Sequence, residues 1–179
     1  MNYKTKVFVK TVPMARPTNA LAGIPVGQWK IAGKLCLEIG KRYSGRSYVD
    51  MMNNALLTNI KEGYIKSSYP LDHVGIGDGI AWFAYCDGNL RRSGRDGVYR
   101  NEHLGRDEII ETCEIDEEDE YIKKRSRCRP VRFVFERLNE KECVFIGIFY
   151  QVSINIYRCS DRLIGETLLK RYDEYEKYL

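Results

Sequence analysis

A chain of 179 residues with 44% apolar and 30% charged side chains has the size and balance of one globular domain, able to bury roughly 70% of its unfolded surface without staples. No stretch approaches the ~20 apolar residues of a membrane span. Met1 to Lys10 has no apolar export segment, so a cytoplasmic or nuclear protein with no membrane partner is expected. The net charge of +4 is a mild basic bias whose distribution says more than its size.

In chain order, Lys4 to Lys10 alternates polar and apolar residues and predicts a short strand. Pro13, Pro17, Gly23, Pro25 and Gly27 predict irregular chain. Gln28 to Tyr43 is read as helical, with Ile31, Leu35 and Ile39 on one face, although Gly33 and Gly40 weaken the pattern. Ser47 is placed as the N-cap of a helix running to about Glu62 and ended by Gly63, its core face being Val49, Met52, Leu56 and Ile60.

Val74 to Gly79 reads as a glycine-rich turn, and Ile80 to Cys86 as a buried strand. Asn89 to Arg106 reads as a long polar loop, Glu108 to Ile115 as a strand, and Glu114 to Glu120 as a solvated acidic run. Pro130 to Leu138 alternates, turns at Asn139 to Lys141 and continues through Cys143 to Tyr157, which predicts a long β-hairpin. Gly147 inside it marks a bulge or a close approach of the backbone. Ile164 to Tyr178 is read as a closing helix. Late strands joined by hairpins predict an α+β fold with a curved or barrel-like antiparallel sheet and flanking helices, in a single domain over 1–179.

The six cysteines, at 36, 86, 113, 128, 143 and 159, contain no closely spaced pair and are read as free thiols. Only His73 and His103 accompany them, so no metal site, cofactor or Cys-His nucleophile is assigned. The glycines Gly75, Gly77 and Gly79 lead into a strand where a phosphate-binding loop would open a helix, and no Gly-Lys-Ser/Thr follows.

The arginines carry the strongest functional signal. Arg91, Arg92, Arg95, Arg100 and Arg106 share one glycine-bearing segment with Tyr99. Lys123, Lys124, Arg125, Arg127, Arg129 and Arg132 form a second cluster just after the acidic run, which they also balance electrostatically. Guanidinium groups suit bidentate phosphate contacts and stacking, so a nucleic-acid partner is expected, DNA before RNA.

Two segments resemble a known group. VGIGDGIAWFAYCDG (Val74 to Gly88) resembles the glycine, aspartate and apolar-strand feature of PUA-like barrels. RPVRFVFERLNEKECVFIGIFYQVSI (Arg129 to Ile154) resembles the terminal strand pair of SRA-type domains, and the core they define would span about 64–160. The Tyr-Asp-Gly signature of that group stands here as Tyr85-Cys86-Asp87-Gly88, with one residue inserted. The resemblance implies a reader of modified bases that flips a base into an aromatic pocket, as in restriction-modification systems. Trp82, Phe83 and Tyr85 would line that pocket and Asp87 would bond the base edge. Arg91, Arg92, Arg95, Tyr99, Arg100, Lys124, Arg125 and Arg127 are the expected nucleic-acid contacts. A binding module is expected before an enzyme. Two alternatives stay open: a metal-dependent nuclease of restriction type using acids among Glu108 to Glu120, and a protein-interaction module.

Overall fold

A computed structural model describes residues 6–15, 28–31, 35–86, 91–92 and 98–172. The strands are β1 (Lys6–Pro13), β2 (Gln28–Ile31), β3 (Leu35–Glu38), β4 (Arg42–Ser44), β5 (Ser68–Leu71), β6 (Ile76–Ala84), β7 (Arg91–Arg92), β8 (Val98–His103), β9 (Glu108–Ile115), β10 (Val131–Arg137), β11 (Glu142–Cys159) and β12 (Arg162–Arg171). The helices are α1 (Tyr48–Leu56) and α2 (Glu118–Ser126). The chain divides into two units, each built from three segments. The first holds Met1–Arg16, Cys86–Cys128 and Tyr150–Lys170; the second holds Pro17–Tyr85, Arg129–Phe149 and Arg171–Leu179.

In the second unit the hydrogen-bonded strand order is β5, β6, β10 and the first half of β11, with β4 also on β11. β10 runs parallel to β6, with Phe135 opposite Phe83 and Val134 opposite Trp82. A parallel pair needs a long connection between its strands, and residues 85–130 supply it. The sheet is therefore mixed rather than wholly antiparallel as expected. Phe83, Phe133, Phe135, Phe145 and Phe149 are fully buried and form the core. Phe83 and Phe135 stack at 4.7 Å with their planes 14° apart, and Phe145 lies 5.1 Å beyond Phe135. Ser47 caps α1 as expected, its hydroxyl accepting from the Asp50 N–H. The helix ends earlier than expected, at Leu57 in the left-handed region.

In the first unit the order is the second half of β11, then β12, β9, β8 and β7, with β1 antiparallel to β11. The turn at Ser160 and Asp161 between β11 and β12 places Cys159 opposite Arg162 and hence Asn155 opposite Glu166. A hydrogen bond of 2.9 Å between those side chains agrees with this register. α2 packs on one sheet face through Tyr121, over Cys113, Ile154 and Ile156. Gly165 makes the approach possible: a Cβ there would lie 2.5 Å from the Tyr121 ring. In neither unit do the described strands close into a barrel.

Several expectations are corrected. Gln28 to Tyr43 forms the antiparallel pair β2 and β3 followed by β4, not a helix. Ile164 onward continues as β12 to Arg171; residues 173–179 lie outside the described residues. The loop expected at 89–106 contains β7 and β8, and the end of the acidic run starts α2. The glycine-rich stretch begins a strand, the turn having been made at Asp72–Val74 and closed by Gly75 at φ 83°. Gly147 takes φ 133°, a backbone conformation that favours glycine, while a Cβ there would make only ordinary contact with the Arg171 guanidinium at 3.4 Å.

Candidate ligand-binding site

The strand expected to line an aromatic pocket is central in the second unit, between β5 and β10, and its rings are covered. Phe83 is 1% exposed, stacked on Phe135 and met edge-on by Tyr48. Trp82 is 6% exposed and carries the Arg132 guanidinium 4.6 Å from its ring centre. The Arg137 guanidinium sits 4.3 Å from the rings of both Tyr85 and Tyr48. Burial pushes the Tyr48 hydroxyl well above its usual range, against the pull of Arg137. Trp82 and Phe83 are therefore core residues, closed to solvent in this structure. Asp87 and Arg95 lie outside the described residues.

The expected phosphate contacts separate into distinct roles. Arg91 and Arg92 form β7, paired with Tyr99 and Val98. Arg125 is buried beneath α2, donating to Glu111 at 3.0 Å, with its guanidinium 5.6 Å from the Tyr99 ring and 5.3 Å from that of Tyr121. Burial disfavours its charge, but Glu111 first, then Tyr121 and Cys113, together more than offset this and hold the guanidinium ionised. Arg125 and Tyr99 thus join the helix to the sheet, and Arg125 does not face a phosphate. Arg129 donates to Asp72 at 2.7 Å, which keeps that carboxyl below its usual range. Lys123, Lys124 and Arg127 are exposed at the C-terminal end of α2.

The carboxylates from 108 to 119 do not gather into a metal site. Glu111 points to the α2 side of β9, while Glu108 pairs with Lys170 and Glu114 with Arg162, both at 3.1 Å. Asp119 pairs with Lys10 at 3.4 Å. Cys86 and His103 of the first unit have ligand atoms within 4.8 Å of each other, a proximity their sequence separation conceals. Cys86 is buried and does not offer its thiol to solvent.

A pocket opens on the face of the first unit opposite α2. It has a volume of about 180 Å³ and is lined by Lys6, Arg100, Glu102, Ile110, Thr112, Ile164 and Glu166. Its floor is set by register: Arg100 pairs with Thr112 across β8 and β9, and Thr112 with Glu166 across β9 and β12. Arg100 and Glu166 are thus two strand spacings apart, roughly 9–10 Å between backbones. Glu166 is 5% exposed and accepts from Lys6 at 3.0 Å, Asn155 at 2.9 Å and Tyr157 at 3.1 Å. Arg100 pairs with Glu102 on the other wall, while its Nε is buried with no hydrogen-bond partner among the described residues.

Of the residues singled out in the sequence, only Arg100 lines this pocket. Lys6, Glu102 and Glu166 come from strands far apart in sequence, and only strand register brings them together. Comparison with known protein families and with curated proteins gives no match for this chain.

Proposed function

We propose that the protein is a nucleic-acid-binding domain that contacts the phosphate backbone with the exposed end of α2, and that it is not an enzyme. The observation that carries this reading is the separation of roles within one basic cluster. Arg125 is buried against Glu111 and fixes the helix, while Lys123, Lys124 and Arg127 remain at the surface. Long cationic side chains on a firmly held helix suit a polyanion, because the scaffold orders their backbone before binding. The resemblance of Val74 to Gly88 and Arg129 to Ile154 to SRA-type domains favours DNA over RNA. The three acids of β9 and Asp119 of α2 each pair with a separate cation, which favours binding over metal-dependent cleavage.

The test is fluorescence anisotropy with labelled duplex and single-stranded oligonucleotides across a salt series. Replacing Lys123, Lys124 and Arg127 with alanine weakens binding to all sequences alike. The slope of log affinity against log salt falls by about one for each lost phosphate contact. A folded wild-type protein that binds no oligonucleotide at low salt overturns the reading.

A further inference from the structure

We infer that the pocket on the first unit's β8, β9 and β12 takes one nucleobase, and that its polar groups select guanine. The inference rests on the nucleic-acid reading for its biological setting, but its chemistry is independent of the phosphate contacts.

Size sets the first limit. A pocket of about 180 Å³ is smaller than the roughly 300–1,000 Å³ of sites for drug-sized ligands, so it fits a single ring system rather than a whole nucleotide. Charge sets the second. Lys6 and Arg100 are each paired with a carboxylate, Glu166 and Glu102, so the lining carries no net charge. A free phosphate would need an excess of cation, whereas a neutral group with both donors and acceptors would not. The side chains of Ile110 and Ile164 give it an apolar surface to lie against.

The hydrogen-bond inventory then separates the bases. An ionised carboxylate offers about four acceptor positions. Glu166 already accepts from three donors, Lys6, Asn155 and Tyr157. Glu102 accepts from Arg100, which leaves most of its acceptor capacity for a ligand. Arg100 also lines the pocket and gives one terminal nitrogen, Nη2, to Glu102, so its other terminal nitrogen can donate to an acceptor inside the pocket. The wall holding Glu102 and Arg100 thus asks for adjacent donors next to an acceptor. Guanine offers two adjacent N–H donors beside O6, with N7 following, whereas adenine presents only one amino donor and cytosine and thymine present fewer matched pairs. Buried polar groups left unpaired make the wrong base costly, so selectivity comes from the pocket and not from the backbone contacts.

Binding of guanosine, adenosine, cytidine and thymidine to the intact protein, measured by isothermal titration calorimetry, tests this without any phosphate. Guanosine binding at least about tenfold tighter than the other three is expected, and Glu102→Gln abolishes the preference because an amide puts a donor where an acceptor is needed. Arg100→Lys keeps the charge but loses the planar fork of terminal N–H donors, and weakens guanosine while leaving the oligonucleotide salt slope unchanged. Circular dichroism of both variants confirms that they fold. Equal affinity for all four nucleosides, or none for any, overturns the pocket assignment even where oligonucleotides still bind. A guanosine preference without oligonucleotide binding keeps the pocket and overturns the nucleic-acid reading.

Discussion

The two units are held together by different chemistry. The second is organised by aromatic burial: β10 has both faces buried from Val131 to Phe135, and the rings of Phe83, Phe135 and Phe145 pack in series. The first unit places charge on both faces of its sheet, with Arg125 and Glu111 on the α2 side and Lys6 and Glu166 on the other. Apolar packing is tolerant of partner identity and sensitive to volume. Buried ion pairs are the reverse, since removing one partner strands the other. The contrast explains why a pocket lined by charged groups opens on the first unit, where polar groups are already oriented by neighbours.

The sharpest break of this comparison is Phe135→Ala, expected to cost about 3–5 kcal/mol, read as a shift of the urea midpoint. A midpoint unchanged from wild type would remove the stacked rings from the account of the second unit. Of similar size, Arg125→Met alone should cost about 3 kcal/mol or more because the buried Glu111 loses its ion-pair partner on α2. Adding Glu111→Leu should recover most of that loss, as a volume-matched apolar pair can replace a buried ion pair. If the double variant is no more stable than the single one, the pair is not what holds α2.

Legibility followed the same division. The hairpin of β10 and β11 was readable because Val131, Phe133 and Phe135 alternate before a polar turn at Asn139 to Lys141. β12 was not, because Ile164 to Thr167 are buried on both faces and present no period of two; Leu168, Leu169 and Tyr172 then mimic a helix. α2 was missed because it has no apolar stripe, burying only Tyr121 and Arg125. A signal was present: acids at 118–120 and bases at 123–125 match the helix dipole at both ends. The pocket was beyond reach, since its walls depend on the register of four strands, and only Arg100 was singled out beforehand.

Smaller effects sharpen the picture. Gly165→Ala places a methyl group against the buried Tyr121 ring and should cost about 1–3 kcal/mol by overpacking, measured by thermal denaturation. In the second unit burial pushes the Cys143 thiol up to about 12, against the opposing pull of Arg137. A folded pKa above the unfolded one means this contribution is intact below about pH 8.5 and is lost as pH rises toward 12. Cys143→Ala should therefore flatten part of the alkaline decline in stability, seen in denaturant midpoints across that range. An identical decline in the variant would assign it elsewhere.

Each unit draws on three separate stretches of chain, and the backbone passes from one to the other at 16/17, 85/86, 128/129, 149/150 and 170/171. β10 and β11 can meet early, since four residues separate them, but the β6 partner of β10 is joined to it only through 46 intervening residues, 85–130. Closing that loop costs entropy before any parallel contact repays it, and non-local pairings of this kind slow folding. Translation offers no shortcut: β6 emerges well before β10, and β11, the neighbour of β10 on its other side, comes later still. Neither unit can be released as one continuous fragment, so a cut near residue 128 or 150 would leave two pieces that each lack part of both cores.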